Sequence, residues 1–267
     1  QVFELNKALQ KLAEEEFDIP LYISIDQEGG MVTRMKNGST FFPGAMTIAA
    51  SGDPQNAFYV GKYMGQELLS LGVNMNLAPP LDVNNNPKNP VIGVRSYSDD
   101  PEIVTTYGTQ FIKGLQKYVV ATAKHFPGHG DTKVDSHLAL PTIHLDEERF
   151  NRVELAPFRE AINQGVQAIM SSHINFPLIN EDGLPSTLSY NCLTGLLRNK
   201  LKFEGLIVTD CMQMKAIQYQ YTTPVGAKLA LKAGANIVCI SHSKDLQIAS
   251  IKAIKEAGYE AIMVNCN

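Results

Sequence analysis

Several patterns are missing from this chain of 267 residues, and each absence excludes a class of protein. The four cysteines form no CxxC pair, which excludes a zinc knuckle, a thioredoxin-type motif and a dense disulfide scaffold. No run of about 18 apolar residues occurs, so no transmembrane helix is expected. The net charge is only −4 and no basic stripe occurs, so nucleic-acid binding is not expected either.

The remaining composition is that of a folded globular protein, with 44% apolar and 19% charged residues. Its first segment, QVFELNKALQKLAEEE, is amphipathic and charged, unlike a signal peptide. The chain does not begin with Met, so an upstream segment could have been removed. Neither the cellular compartment nor the oligomeric state can be inferred from these features.

Short β-branched runs alternate with helical patterns along the chain. We predict strands at 21–25, 73–77, 119–123, 166–171, 206–209 and 236–240, with a weaker seventh at 261–264. We predict helices at 56–71, 101–118, 145–164, 189–201 and 246–257. This alternation predicts a parallel α/β fold, with one domain over 1–258. Residues 259–267 are a tail that could be the remnant or the start of a second domain.

The ends of the predicted strands favour a (β/α)8 barrel over a doubly wound sheet. A doubly wound sheet usually has a GxGxxG loop after its first strand, and Glu28-Gly29-Gly30 does not have that spacing. A barrel instead gathers polar residues at the carboxyl ends of its strands. Four strands here end in polar residues, namely Asp26, Lys124-His125, Ser172-His173 and Asp210. Six confident strands are too few for a full barrel, so we expect its first strands to precede Gln1.

The densest group of reactive side chains lies between Lys124 and His137. A His-x3-His pair, His125 and His129, resembles a zinc spacing, but Pro127-Gly128 prevents the helix that this spacing needs. Asp135 stands two residues before His137 and could hydrogen-bond one imidazole nitrogen, leaving the other to exchange a proton near neutral pH.

Carboxylate and arginine residues at other strand ends are also candidates. Asp210 could act as a nucleophile, a base or a metal ligand, or it could cap a following helix at 212–217. Asp26 and Arg34 suit bidentate bonding to sugar hydroxyls, or they could form a surface ion pair. Arg95 lies in a long Asn-rich loop, and His173 could be a core histidine.

Together, five motifs resemble glycoside hydrolase family 3, in its β-N-acetylglucosaminidase branch. They run in the family's order over about residues 20–245, as IDQEGG, GVRSY, KHFPGHGD, DSH and VTD. The PGHGD continuation with DSH is characteristic of that branch. This resemblance implies a TIM-type barrel lacking its first strands in this sequence. It also implies a retaining exo-β-N-acetylglucosaminidase that acts on wall muropeptides or chitin-type oligosaccharides.

The resemblance also implies a role for each matching residue. Asp210 would be the nucleophile that forms a covalent glycosyl-enzyme, and His137, partnered by Asp135, would be the acid/base. The terminal GlcNAc would be held by Asp26, Arg34, Arg95, Lys124, His125 and His173. Neither a metal nor an organic cofactor is implied. The carbohydrate substrate is the only partner implied.

Several alternatives remain open at this point. Within the family, the chain could be a β-glucosidase, or a phosphorylase that uses phosphate instead of water. A metal-dependent hydrolase could use His125, His129, Asp131 and Asp210. A non-catalytic sugar-binding barrel is the remaining possibility.

Overall fold

A computed structural model describes residues 1–133, 135–136, 139–180 and 183–259 of the chain. Five parallel strands pair in chain order, as β1 Ser24–Ile25, β2 Met75–Asn76, β3 Val120–Phe126, β4 Ala168–Ser171 and β5 Leu206–Thr209. A doubly wound sheet reverses its strand order at a switch point, and this sheet does not. The strands form a curled half-barrel, so the predicted barrel-type fold is confirmed.

Helices lie before β1, between the strands up to β4 and after β5, and they cover the outside of the sheet. They are α1 Val2–Phe17, α2 Ala45–Ala49, α3 Gln55–Ser70, α4 Pro101–Leu115, α5 Glu147–Arg149, α6 Ala156–Asn163, α7 Lys215–Gln218, α8 Thr223–Ala233 and α9 Lys244–Glu256. Two wider π-helical segments span Phe150–Glu154 and Asn191–Lys200, and two 3-10 turns span Gly93–Arg95 and Ser186–Leu188. In the part of the chain that the structure describes, no helix is both long and apolar enough to cross a membrane.

Glycines allow α3 and α4 to pack with their backbones in close contact. A Cβ added at Gly114 would lie 2.1 Å from the carbonyl oxygen of Phe58, and one added at Gly61 would lie 2.3 Å from that of Phe111. Both distances are far shorter than any normal van der Waals contact, so neither position accepts a side chain. The two helices therefore pack tightly against each other.

Alternate residues of each strand contribute to two separate apolar clusters. Ala121, Ile169 and Ile207 belong to the large core that includes the helices. Met75, Met170 and seven other side chains form or border a smaller cluster, the rest being Ala168, Val208, Leu77, Val120, Leu206, Ile237 and Cys239. This alternation is expected of a barrel strand, whose successive side chains point outward and inward. The smaller cluster therefore fills the inside of the half-barrel.

Several sequence predictions of secondary structure were wrong in their extent, among them the second strand, which spans Met75–Asn76 instead of 73–77. The first strand is shorter than 21–25 because the Asn74 side chain accepts from Ile23 N at 2.7 Å and donates to Leu21 O at 2.7 Å. Segment 236–240 makes one bridge to β5, because Cys239 N donates to the Thr209 hydroxyl instead of a strand carbonyl. The helix at 145–164 is divided, since Pro157 lies in the first turn of a new helix that begins at Ala156.

The remaining predictions have mixed outcomes. Helix α4 begins as expected, with Pro101 at its first position and the Asp100 carboxylate accepting from Glu102 N at 2.8 Å. The weak seventh strand at 261–264 and most of the tail at 259–267 lie outside the described residues.

Candidate active site

The carboxyl ends of the strands surround a cavity of about 230 Å³. Its lining includes ionisable and polar side chains from five parts of the chain, namely Asp26, Glu28, Arg34, Arg95, Lys124, His125, His129, Ser136, Asp210 and Ser241. Parallel strands place their carboxyl ends at one face, which is where barrel enzymes carry their chemistry. Strand-end residues singled out from the sequence therefore meet at this cavity.

A buried ion network forms one side of this cavity. Lys124 Nζ lies 2.7 Å from Asp26 Oδ1 and 2.7 Å from Glu28 Oε1, while the Lys124 side chain is only 2% exposed. Arg95 donates to both oxygens of Glu28, through Nε at 2.9 Å and an Nη at 2.8 Å. Glu28 is thus shared between two cations, and the more exposed Asp26 carboxylate lies at the cavity surface.

The network keeps Glu28, Lys124 and Arg95 charged. Burial by itself raises the pKa of Glu28, but Lys124 and Arg95 outweigh it and hold that pKa at about 2. Burial lowers the pKa of Lys124, yet Glu28 and Asp26 raise it above its ordinary value. The same competition, with Glu28 as the main partner, raises the pKa of Arg95. The cavity therefore presents fixed ionic groups suited to hydrogen-bonding sugar hydroxyls.

Asp82 orients the histidine that follows Lys124. Its Oδ2 lies 2.7 Å from His125 Nδ1, and its Oδ1 accepts from the backbone N–H groups of His125 at 3.1 Å and His129 at 2.7 Å. Burial raises the pKa of Asp82, but the neighbouring His125 and His129 bring it below its ordinary value. An ionised Asp82 accepts from Nδ1–H, so Nε2 of His125 is left to make other contacts.

Asp210 lies directly after β5 in the cavity wall. Its Oδ1 accepts from Cys211 N at 2.7 Å, and α7 begins only at Lys215, so its side chain does not cap that helix. Burial raises the pKa of Asp210, but His173 and His125 lead the groups that bring it below its ordinary value. Asp210 is therefore a carboxylate at neutral pH, the form in which it can act as a nucleophile.

The other two candidates for sugar binding lie in different surroundings. Arg34 is exposed at the cavity rim, and its turn is held by Gln27 Oε1, which accepts from Arg34 N at 2.8 Å. His173 is buried behind Asp210, with Nδ1 2.9 Å from the Thr187 hydroxyl and Nε2 3.0 Å from the Cys211 carbonyl. His173 therefore fixes the backbone next to Asp210.

The loop after β3 is fastened by two asparagines from the loop after β2. Asn89 Nδ2 donates to the carbonyls of His129 and Gly130, both at 2.8 Å, and Asn86 Nδ2 donates to that of Thr132 at 3.2 Å. A Cβ added at Gly130 would lie 1.6 Å from Val83 O, so the two loops touch backbone to backbone. These contacts hold the part of the loop that precedes Asp135.

The acid/base pair expected from the sequence is only partly described. Asp135 is half-buried and its carbonyl accepts from Ala139 N at 3.2 Å, whereas His137 lies outside the described residues. The Asp135–His137 pairing therefore stays a prediction.

The residues considered for a metal site have other partners. His129 contacts two hydroxyls through its ring nitrogens, and Asp131 Oδ2 pairs with Arg149 at 2.6 Å. Within residues 1–133, 135–136, 139–180 and 183–259, no three His, Cys, Asp or Glu side chains are grouped so as to hold a metal ion.

Sequence reasoning missed two residues of the site, Glu28 and Asp82. Asp82 carries the same signal as Asp26, because it follows the strand-like run that ends at Leu77 after a short Pro-containing turn. Glu28 belongs to the IDQEGG motif. Its part in the ion network depends on contacts with Arg95, which is 67 positions away in the sequence, and with Lys124.

Comparison with known proteins gives a consistent group of relatives. Residues 1–264 match the family model described as "Glycosyl hydrolase family 3 N terminal domain". Beta-hexosaminidase A of Pseudoalteromonas piscicida is 42% identical over 255 residues, covering 89% of this chain and 42% of that protein.

Solved structures of similar proteins share the fold over nearly the whole chain. A glycoside hydrolase family 3 beta-N-acetylglucosaminidase from Paenibacillus sp. str. FPU-7 has a TM-score of 0.95 and 51% identity, covering 96% of this chain and 49% of that one. NagZ from Neisseria gonorrhoeae, solved with N-trifluoroacetyl-D-glucosamine, has a TM-score of 0.80 and 30% identity. The match covers 92% of this chain and 71% of that one. The chain spans about half or less of Beta-hexosaminidase A and of the Paenibacillus protein.

Proposed function

Because the chain belongs to the glycosyl hydrolase family 3 N-terminal domain family, we propose that it removes terminal β-linked N-acetylglucosamine from oligosaccharides. The observation that carries this proposal is the ionised Asp210 at the end of β5, facing a cavity lined by Lys124 and His125. The beta-hexosaminidase and beta-N-acetylglucosaminidase relatives support the choice of sugar.

The size of the cavity supports removal of a single terminal sugar. Its volume of about 230 Å³ is below the roughly 300–1,000 Å³ of pockets that take drug-sized ligands. It therefore suits one sugar ring, with the rest of the oligosaccharide leaving past the rim at Arg34. Asp26, Arg95, Lys124 and His125 would bind the ring's hydroxyl and acetamido groups, while His173 would steady Asp210.

The proposed reaction takes place in two steps. Asp210 attacks the anomeric carbon and forms a glycosyl ester, while His137 donates a proton to the departing oxygen. Water then attacks the same carbon, with His137 taking its proton and Asp210 leaving, so the product keeps the β configuration. An imidazole has an ordinary pKa near 6.5, so His137 can serve in both directions, with Asp135 stabilising its protonated form.

The test compares aryl β-GlcNAc with aryl β-glucoside in the presence of a chelator. We expect chelator-resistant hydrolysis of the GlcNAc substrate, retention of configuration by NMR, and loss of this activity in Asp210→Asn but not in the exposed control Asp245→Asn. Activity on the glucoside alone would contradict the proposed sugar. Release of GlcNAc-1-phosphate only when phosphate is added would assign a phosphorylase, and loss of activity with chelator would assign a metal-dependent hydrolase.

The natural substrate is proposed by analogy with the β-N-acetylglucosaminidase branch of the family. We propose fragments of the bacterial cell wall with a terminal GlcNAc over chitin-type oligosaccharides. The ratio of kcat/KM on GlcNAc–anhydromuropeptide to that on chitobiose tests the choice, and a preference for chitobiose would reverse it.

A further inference from the structure

A chain of hydrogen bonds runs through the interior beside the cavity, from Asn89 to Ser136. Asn89 Nδ2 lies 3.2 Å from Thr132 Oγ1, Thr132 Oγ1 lies 3.0 Å from His129 Nδ1, and His129 Nε2 lies 3.0 Å from Ser136 Oγ. Each of the four side chains is buried, with His129 only 2% exposed. His129 is the centre of this chain because it uses both of its ring nitrogens.

The surroundings of His129 keep its imidazole neutral. Burial is the largest cause, and His125 adds to it, so that the pKa of His129 falls to about 4. In either neutral tautomer one ring nitrogen donates and the other accepts, and the hydroxyls of Thr132 and Ser136 can fill either role. The chain of hydrogen bonds is therefore complete without a charge on His129.

Ser136 is held at two points. Its hydroxyl contacts His129. Its carbonyl accepts a hydrogen bond from the backbone N–H of Ala216, the second residue of α7, at 3.2 Å. Ser136 lies between Asp135 and His137 in the sequence, so its anchorage limits where both neighbours can be. His129, which is itself fixed by Thr132 and the His129 N–Asp82 bond, is the rigid side of that anchorage.

We propose that His129 is a positioning residue for the acid/base of the reaction, acting through its hydrogen bond to Ser136. The inference rests on the function proposed above, in which the Asp135-Ser136-His137 segment supplies the proton to the departing oxygen. It assigns His129 neither contact with the reacting atoms nor a proton of its own to give.

Leaving-group dependence separates this role from a merely structural one. A poor leaving group needs protonation, whereas an activated one departs with little help from an acid. The quantity to compare is kcat/KM, because it reports only the steps through formation of the glycosyl-enzyme. A displaced acid/base therefore lowers kcat/KM for phenyl β-GlcNAc and spares that for dinitrophenyl β-GlcNAc, whereas a damaged fold lowers both.

Two substitutions at one position form a matched pair. A Gln amide reaches the place of Nε2 and can still bond to Ser136, whereas an Asn amide reaches only the place of Nδ1. For His129→Asn we expect kcat/KM on the phenyl substrate to fall roughly 10- to 100-fold, part of the ~10²–10⁴ that a positioned acid/base contributes. We expect His129→Gln to recover most of it, and the exposed control His144→Asn to match wild type.

Ser136→Ala keeps the experiment decisive if the His129 variants do not fold. It removes only the hydroxyl and should reproduce the selective loss on the phenyl substrate. The inference would be overturned if Ser136→Ala and His129→Asn lowered kcat/KM equally on both substrates, or lowered it on neither. An inactive wild-type protein on both substrates would instead overturn the proposed function, so the two failures are distinguishable.

Discussion

Replacing Glu28 by Gln tests whether the ion network is a major source of stability. Gln keeps the shape of the side chain but removes the charge shared by Lys124 and Arg95. The fall in pKa from 4.5 to about 2 corresponds, at about 1.4 kcal/mol per pKa unit, to about 3 kcal/mol of stabilisation. Breaking a buried ion pair on one side costs a similar ~3–5 kcal/mol. We therefore expect Glu28→Gln to lower the free energy of unfolding by about 3 kcal/mol at pH 7.

Urea unfolding followed by far-UV circular dichroism measures this change, since the chain has no Trp to report by fluorescence. Asp26→Asn is the matched control: its side chain is 37% exposed against 4% for Glu28, so solvent screens it and the loss should be under about 1 kcal/mol. Because the pKa of Glu28 is depressed, its contribution is present above pH 4.5 and is lost as the pH falls toward 2. A Glu28→Gln protein within about 0.5 kcal/mol of wild type would refute the reasoning.

Three further predictions concern other parts of the site and the fold. The pKa of His129 is depressed from 6.5 to about 4 because burial penalises its charged form, so wild type should lose about 3 kcal/mol of stability as the pH falls from 6.5 toward 4; urea titrations should show this loss in wild type and not in His129→Gln, and equal losses in both would contradict it. Asp82→Asn removes the carboxylate that orients His125 and should lower kcat/KM by about tenfold or more with the fold intact by circular dichroism; unchanged kinetics would contradict this role. Gly114→Ala pushes a methyl group against Phe58 O, so we expect a destabilisation of at least about 1–3 kcal/mol in the same urea assay, and full stability would show that α3 and α4 can move apart.

The sequence predicted which side chains gather at the cavity better than it predicted the extent of the strands. Asp26, Lys124, His125 and Asp210 meet there because each follows a short apolar run, and a parallel sheet brings such ends together. This rule needs only the local sequence at the end of each strand, so it applies whether or not the barrel closes. Applied to the longer connection after β2, it would also have found Asp82.

The details that escaped prediction depend on contacts between distant residues. The first strand is short because Asn74 replaces ladder bonds with side-chain bonds, and a polar residue in a strand does not reveal such a partner. The charge state of Glu28 depends on cations from two other loops. The Asp135–His137 pairing falls partly outside the described residues and stays a prediction.

The two loops joined by the asparagines have a consequence for protein engineering. Asn89 holds the loop after β3 with its amide nitrogen, while its amide oxygen accepts from Val91 N at 2.8 Å and Ile92 N at 2.9 Å, in the loop that carries Arg95. If residues 127–136 were replaced by the corresponding loop of a relative with a different specificity, the Asn89 amide would face the backbone carbonyls of a loop with a different conformation. The unit of exchange is therefore the pair of loops, 82–95 together with 127–136, and libraries that vary one alone would sample mostly mismatched interfaces.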